Sequence, residues 1–446
     1  MKIVCLLLLL ASGPGLLFAQ KTVLHDVTII DGTGAPAKPH TNLIMSGDRI
    51  NSIGNVIPAD ARVIDMKGKY IMPEIICGHA HLGNLKDTIA SAANYTPDNI
   101  RRQLQKYQDY GIGAVLSMGT EQPVGLPTRD SSRAGLIAGA TMYSAIYGFG
   151  VPGGMPPGAG FTHVYRPATA EEATRQVQEL AALHPDVIKI WVDNSYGQFQ
   201  TMREEVYKVI ISEAHRHGIR VAAHLYHLTD ARKLVAAGID IMAHSIRDAE
   251  IDDELIAEMK KNHVIYIPTL SLDEYFYIYG DDPYWLHEPF FRTSLEPGVY
   301  GMITSPGYKE RLKNNPITEQ EKTALQIALK NLIKLHKAGI VIALGSDSGA
   351  TPVRTQGFSE HLEMELMVQA GLTPLEAIEV ATLNGARLLK IDKDRGTLVP
   401  GKKADFIVLN QDPLNDIRNT HSILAVWKDG KKVSNGPVTS SRSVTP

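Results

Sequence analysis

Eight short apolar runs, separated by segments with helical spacing, restrict the fold of this chain more than any other feature. The runs begin at Ile71 (IMPEIIC), Gly113 (GAVLSM), Ala140 (ATMYSAI), Val187 (VIKIWV), Arg220 (RVAAH), Ile239 (IDIMAH), Val264 (VIYIPTL) and Ile340 (IVIALGSD). Helical apolar spacing occupies gaps over residues 170–182, 204–217, 229–237, 252–261 and 319–337. Strands that alternate with helices form a parallel α/β sheet, and eight such strands close a (β/α)8 TIM barrel. An open doubly wound sheet is the alternative, but no G-x-G-x-x-G pattern follows the first run.

Short β-rich runs at both ends of the chain predict a second, smaller domain. Runs before Tyr70 and the segments ADFIVLN (from Ala404) and ILAVWKDGKKV (from Ile423) alternate with turn residues, and Asp429-Gly430 is a favourable hairpin turn. We therefore expect a small β-sandwich domain built from residues 20–70 and 397–440. The barrel domain would cover residues 71–396.

Residues 1–19, MKIVCLLLLLASGPGLLFA, have the pattern of a signal peptide. One Lys precedes an apolar core, a Gly/Pro break and a small residue before Gln20. The uninterrupted apolar stretch is too short to span a membrane, although a retained anchor or a buried first strand is the alternative. We expect a periplasmic or secreted protein that leaves the membrane once the signal is cleaved. Cys77 would then be its sole thiol, which excludes an internal disulfide.

The charge balance favours no macromolecular partner. A formal net charge of −3, without a basic patch, gives nucleic acid no electrostatic footprint. We expect a small-molecule substrate as the partner, and the sequence leaves a homo-oligomer open.

Ionisable residues lie at the ends of several apolar runs. In a parallel barrel the carboxyl ends of the strands share one face, which here would carry His79, His81, Lys189, His224, His244 and Asp347. Imidazoles and a carboxylate in this number suit two divalent ions. Taken singly, His224 or His244 could be a hydrogen-bonded rim residue, and Asp347 could cap a helix. Lys189 is harder to explain, because a buried ammonium is costly unless it is paired or chemically changed.

Longer motifs around these residues resemble the amidohydrolase superfamily. The resemblance rests on DVTIIDGTG (from Asp26), the H-x-H and Lys positions, HLYHLTDARKLVAAGIDIMAHS (from His224), ALGSDSG (from Ala343) and ATLNGARLLKID with GTLVPGKKADFIVLN (between Ala381 and Asn410). The chain is similar to the branch that contains imidazolonepropionase-like amidohydrolases and prolidases with a carboxylated lysine.

The resemblance implies a binuclear metal site. One ion would be held by His79, His81 and Asp347, and the other by His224 and His244. Lys189, carboxylated by CO₂, and a hydroxide would bridge two divalent ions, for which zinc is the first candidate. Asp347 would also be the catalytic general base and acid.

The implied reaction is hydrolysis of a carboxamide or cyclic amide C–N bond by the metal-bridging hydroxide, with dipeptides or N-acyl amino acids as candidate substrates. Tyr226, His227 and Arg247 follow the ligand residues, so they are candidates for binding a substrate carboxylate or carbonyl, or are ordinary polar residues of the rim. A lactone or ester hydrolase with the same metals is an alternative. A non-catalytic binding protein on the same fold is another.

Three positions depart from the pattern of the family. Glu74 and Cys77 stand where the segment before H-x-H usually has Gly and Asp, and Met155 lies in a Gly/Pro-rich loop where the branch often has His. We interpret Cys77 as packed in the core rather than placed at the metal rim. The aromatic segment DEYFYIYGDDPYWLHEPFF (from Asp273) could be a lid, a pocket wall or a subunit contact.

Overall fold

The computed structural model describes residues 20–157 and 163–438. The predicted signal peptide, residues 1–19, lies outside the described residues. Within the described ranges, no helix combines the length and the apolar character that crossing a membrane requires.

The strands occur in two clusters at the ends of the chain and singly between them. In chain order they are β1 (Lys21–Ile29), β2 (Lys38–Ser46), β3 (Arg49–Gly54), β4 (Arg62–Asp65), β5 (Tyr70–Pro73), β6 (Ile75–Ala80), β7 (Leu85–Lys86), β8 (Ile89–Ala90), β9 (Ile112–Ser117), β10 (Thr141–Ser144), β11 (Ile188–Trp191), β12 (Val221–His224), β13 (Ile241–Ala243), β14 (Ile265–Ile267), β15 (Phe406–Leu409), β16 (Ile423–Lys428) and β17 (Lys431–Ser434).

The α-helices alternate with the single strands and then cluster toward the C-terminal third of the chain. They are α1 (Pro97–Asp109), α2 (Leu126–Arg133), α3 (Ala170–Ala181), α4 (Glu204–Arg216), α5 (Leu228–Ala236), α6 (Asp253–Lys261), α7 (Leu270–Glu274), α8 (Pro289–Ser294), α9 (Val299–Thr304), α10 (Pro306–Lys313), α11 (Thr318–Lys337), α12 (Phe358–Ala370), α13 (Pro374–Glu379) and α14 (Gly385–Leu389). The alternation of strands and helices confirms the α/β class.

Strands from both ends of the chain pair in one mixed sheet, in the order β17-β16-β15-β5-β1-β2-β3, with β4 beside β1. Strand β15 runs antiparallel to β5, with Val408 opposite Ile71, so backbone hydrogen bonds join the two ends directly. Asp429 and Gly430 have positive φ angles of 49° and 70° in the β16–β17 hairpin, as a two-residue primed turn requires. Because β5 covers Tyr70–Pro73, the sheet includes three residues that we had assigned to the barrel domain.

The single strands pair in parallel. Strands β6, β9 and β10 form one group and β11 to β14 another. Phe149, beyond the end of β10, makes a parallel bridge to Ile190 of β11, which joins the two groups.

The eighth apolar run, residues 340–347, connects the last single strand to the first together with Ser348, which directly follows it. It forms isolated parallel bridges rather than a continuous strand: Ile342 bridges Tyr266 of β14, and Ser348 bridges Ala80 of β6. Parallel pairings therefore pass from each apolar run to the next and return from the eighth to the first. Their carboxyl ends all lie on one face.

The helices predicted from apolar spacing occur within two residues of the expected positions. Thr169 and Asp252 end the preceding loops as N-caps of α3 and α6, because their side chains accept the backbone N–H groups of Glu172 and Leu255. The apolar faces of these helices pack on the outside of the parallel strands and bury residues such as Val177.

The aromatic segment after β14 belongs largely to the core. Tyr279, Trp285 and Phe291 are at most 2% exposed, and the ring of Phe291 lies 4.9 Å from that of Phe358 in α12. Most of its aromatic side chains therefore stabilise the packing between this segment and α12. Phe276 is the part of the segment that reaches the central cavity described below.

Glu74 lies buried between the terminal sheet and the parallel strands. Its carboxylate is 3.2 Å from Arg395, which is in turn 3.3 Å from Asp405. A Cβ atom on Gly113 would lie 1.7 Å from this carboxylate, so glycine at 113 provides the room that the glutamate needs. Burial raises the pKa of Glu74 to about 7. Glu74, which departs from the family pattern, thus takes part in an ion-pair network between the terminal sheet and the parallel strands.

Candidate metal centre

One cavity of about 270 Å³ opens at the carboxyl ends of the parallel strands, and we call it the central cavity. The six residues that the sequence proposed as metal ligands all line it: His79, His81, Lys189, His224, His244 and Asp347. They are far apart in the chain, and the parallel arrangement of the strands brings them together.

Two imidazoles and a carboxylate converge on one side of the cavity. Oδ1 of Asp347 lies 2.8 Å from Nε2 of His81 and 3.2 Å from Nε2 of His79. Ligand atoms of the three residues all lie within 4.8 Å of one another. Neither ring nitrogen of the fully buried His79 has a hydrogen-bond partner among the described residues. A buried imidazole without a partner, beside a carboxylate, fits a divalent cation.

Asp347 also contacts Arg354, which the sequence did not suggest. The guanidinium of Arg354 donates a hydrogen bond to Oδ2 of Asp347. Burial alone would raise the pKa of Asp347, but Arg354 and the nearby imidazoles hold it well below its usual range. The next helix, α12, begins only at Phe358, so Asp347 does not cap it.

His224 and His244 face each other on the other side of the cavity, with ring centroids 4.3 Å apart. Nε2 of His224 lies 3.1 Å from Asp193, and Nδ1 of His244 lies 2.8 Å from the hydroxyl of Thr269. Each ring thus uses one nitrogen for an orienting contact, which leaves Nδ1 of His224 and Nε2 of His244 for a cation. Metal-binding histidines usually have this outer partner.

Burial keeps these imidazoles neutral. It lowers the pKa of His79 to about 3, lowers that of His224, and lowers that of His244 well below its usual range. The neutral imidazole is the form that binds metal ions, so the electrostatics of the cavity suit the ligand role.

Lys189 is the least conventional residue of the cavity. It lies on β11, is 1% exposed, and its Nζ has no hydrogen-bond partner among the described residues. The ring centroid of Trp191 lies 5.7 Å from Nζ. Burial lowers the pKa of Lys189 to about 7. A buried amine without a partner requires a ligand or a chemical change.

The three candidate substrate contacts separate into two groups. Tyr226 and Arg247 line the central cavity, with the guanidinium 4.7 Å from the tyrosine ring centroid. Nε of Arg247 lies 3.0 Å from the buried carboxylate of Asp273. His227 is not among the residues that line the cavity, because its Nδ1 lies 3.0 Å from Asp248 on the rim.

The structure also shows the surroundings of Cys77 and Met155, two positions that depart from the family pattern. Cys77 is fully buried, and its Sγ lies 3.4 Å from Glu360 and 3.3 Å from the backbone oxygen of His79, which agrees with the packed interpretation. Met155 lines the central cavity. Asp193 is a site residue that was not predicted, although its carboxylate follows directly after the fourth apolar run, as the other site residues follow theirs.

Similarity to known proteins covers most of this chain. The family model of the amidohydrolase family matches residues 70–433. The ochratoxinase of Aspergillus niger is 28% identical over 274 residues, which is 58% of this chain but only 49%, about half, of that enzyme. A 5-methylthioadenosine/S-adenosylhomocysteine deaminase of Caldanaerobacter subterraneus is 26% identical over 417 residues, covering 88% of this chain and 86% of the deaminase.

A solved structure extends the likeness to the whole architecture. The crystal structure of a candidate prolidase from Bifidobacterium longum superimposes with a TM-score of 0.73 at 25% identity, over 95% of this chain and 97% of the other. The family model spans most of the chain, including every residue that lines the central cavity. The chain therefore belongs to the amidohydrolase family.

Proposed function

We propose that the protein is a metal-dependent hydrolase that cleaves the C–N bond of a carboxamide or cyclic amide, with dipeptides and N-acyl amino acids as candidate substrates. The observation that carries this proposal is the unpartnered Nζ of Lys189, buried in a cavity that four histidines and Asp347 also line. Family membership and the hydrolytic relatives support chemistry on C–N bonds.

Two divalent ions, zinc first among the candidates, fit the donor set. His79, His81 and Asp347 would hold one ion, and His224 and His244 the other. Bound there, the ions would supply a lowered pKa for water and polarisation of the substrate carbonyl.

Lys189 would join the two groups of ligands as a carbamate. The neutral amine adds to the carbon of CO₂: an N–C bond forms, one C=O π bond becomes C–O⁻, and the amine releases one proton to water, so that an anionic carbamate replaces the amine. The lowered pKa of Lys189 makes the reactive neutral amine available near neutral pH. The change also removes the cost of burying an ammonium without a partner.

Asp347 would move the proton during hydrolysis. Its carboxylate is ionised, so it can accept a proton from the attacking water and then transfer it to the leaving nitrogen. Tyr226 and Arg247 would bind the substrate carbonyl or carboxylate, while Trp191 and Phe276 contribute apolar surface that excludes water. His227 does not line this cavity, so its contact with a substrate stays a prediction.

We also propose that the cycle of parallel pairings is a closed (β/α)8 barrel, with the terminal sheet as a separate small domain. The pairing of the eighth run with both β14 and β6 supports closure. The separate apolar cluster of the terminal sheet, which includes Leu24, Phe406 and Trp427, supports the second domain.

Metal analysis combined with a substrate panel tests the function. Protein purified without chelator should contain about two equivalents of divalent metal, as the donor set implies. It should hydrolyse N-acyl amino acids or dipeptides in preference to lactones, and His79→Ala should lose both metal and activity. Hydrolysis of lactones alone would favour the esterase alternative. A metal-loaded protein that turns over neither class would contradict a hydrolytic function.

A further inference from the structure

The central cavity shares one wall with a second depression on the surface, which we call the outer groove. Tyr196, Tyr226 and Arg247 line both spaces. Gln320 and Thr323 of α11 line only the outer groove, which has a volume of about 530 Å³. The wall is thus a layer of side chains between two spaces that together could hold a longer molecule than the cavity alone.

Tyr196 is the outermost part of this wall. It is 39% exposed, whereas Tyr226 and Arg247 are each 6% exposed. Its hydroxyl donates a 2.5 Å hydrogen bond to Oε1 of Glu321, a residue of α11 that is 1% exposed. Oε2 of Glu321 has no hydrogen-bond partner among the described residues. One hydrogen bond between a half-exposed ring and a buried carboxylate therefore ties the wall to α11.

The backbone that carries Tyr196 is strained. Ser195 and Tyr196 have φ angles of 47° and 58°, in the left-handed region that is unfavourable for non-glycine residues. The side chains of Asp193 and Asn194 hold this turn by accepting the backbone N–H groups of Ser195 and Gly197, each at 3.0 Å. This turn sets the position from which the Tyr196 hydroxyl reaches Glu321.

We propose that Tyr196 is a specificity-determining residue, which closes the central cavity through Glu321 and opens to let an extended substrate reach the outer groove. The inference rests on the proposed amide hydrolysis and names the extension that the enzyme accepts. Gln320 and Thr323 offer donors and acceptors for a polar, uncharged chain. Asp248 and Glu319, which also line the groove, disfavour an anionic one.

Pairs of short and extended substrates test whether the wall limits the length of the substrate. The parent is the best amide from the substrate panel, and its partners carry two additional glycine residues on the acyl side or on the amine side. For Tyr196→Ala, kcat/KM for one extended partner should rise about tenfold relative to the parent, because removing the ring joins the two spaces. Glu321→Gln, which weakens the hydrogen bond and keeps the ring, should move this ratio in the same direction by less.

A matched control is available in Tyr284, whose hydroxyl donates to Glu365 at 2.5 Å on a surface remote from the cavity. Tyr284→Ala loses a tyrosine–glutamate hydrogen bond of the same kind and should leave the ratio unchanged. If Tyr196→Ala hydrolyses the parent but both extended partners keep their wild-type ratio, the wall does not select substrates and the proposal is wrong.

A second readout is independent of hydrolysis. Trp191 lines the central cavity, whereas Trp285 and Trp427 do not, so the part of the acrylamide quenching of tryptophan fluorescence that Trp191→Phe removes reports access to that space. Quenching should increase in Tyr196→Ala and not in Tyr284→Ala. Increased quenching in a protein that cleaves no amide would refute the proposed function while supporting the closing role of Tyr196. Equal quenching in both variants would refute that closing role.

Discussion

Nε2 of His224 lies 3.1 Å from Oδ2 of Asp193, and the other carboxylate oxygen of Asp193 accepts the backbone N–H of Ser195 at 3.0 Å. One carboxylate therefore orients a candidate metal ligand and also shapes the loop that carries Tyr196. A similar pair, His227 with Asp248 at 3.0 Å, lies outside the central cavity. Both are histidine–aspartate pairs, but only the first lines the central cavity, so the second serves as a control for the first.

Asp193→Ala should weaken metal binding by about 10- to 100-fold, because His224 loses the partner that fixes its ring and tautomer. Competitive titration with a chelator of known affinity measures the change. Asp248→Ala removes the matching carboxylate from His227 and should leave metal affinity within about twofold of the wild type, since that pair does not face the cavity. Equal losses in both variants would show that Asp193 acts on stability rather than on the ligand.

Lys189→Ala should abolish turnover, because the anionic connection between the two groups of ligands disappears. Formate or acetate should restore part of the activity by placing a free carboxylate in the vacated space. Lys106→Ala, at a buried lysine paired with Glu296, should show no such rescue. Growth of a carbamate carbon signal in ¹³CO₂-equilibrated wild type would identify the modification directly. An unmodified amine beside two fully bound metals would contradict it.

Asp347→Asn should lower kcat by about 10²- to 10⁴-fold with little change in KM, because an amide keeps the shape of the site but cannot accept a proton. The comparison requires metal-loaded protein, with metal content measured in the same preparation. Thermal unfolding of both proteins serves as the control for a purely structural role. Near-normal kcat in the metal-loaded variant would remove Asp347 from proton transfer.

His361 should make the protein less stable in acid. Burial, reinforced by the nearby His421, lowers the pKa of His361 to about 3, against an ordinary value of about 6.5. The unfolded chain therefore binds a proton that the folded chain does not. Stability that is complete above about pH 6.5 should fall toward pH 3 by up to about 1.4 kcal/mol per pH unit.

The variant His361→Gln isolates this effect. Glutamine can donate to the backbone oxygen of Tyr110 and accept from the hydroxyl of Thr420, as the imidazole does, but it does not titrate. Chemical denaturation at several pH values should show a shallower acid slope for the variant. An unchanged slope would mean that protonation of His361 does not cause the loss of stability in acid.

Periodicity in the sequence was enough to predict most of the strands and five of the α-helices, namely α3 to α6 and α11. Apolar spacing determines which face of a segment can be buried, and that information is local. It was also enough to predict that the six candidate ligands lie on one face of the parallel strands. His79 and Asp347 follow different apolar runs, and parallel strands necessarily present their carboxyl ends on one face.

The sequence could not decide where neighbouring polar side chains point. Tyr226 and His227 are adjacent in the chain, yet one lines the central cavity and the other contacts Asp248 on the rim, because the chain turns there to begin α5 at Leu228. The eighth apolar run also differed from a simple strand, since it pairs with β14 and β6 through isolated bridges and single backbone hydrogen bonds rather than a continuous ladder.

Only the tertiary structure decided which distant residues complete the site. Arg247 meets Asp273 across one helix and one strand, and Tyr196 meets Glu321 across several of each. These contacts depend on how loops and helices pack over the open end of the strands. Hydrophobic periodicity specifies the face that an element buries, but the direction of each polar side chain above that face is set by packing between elements far apart in the sequence.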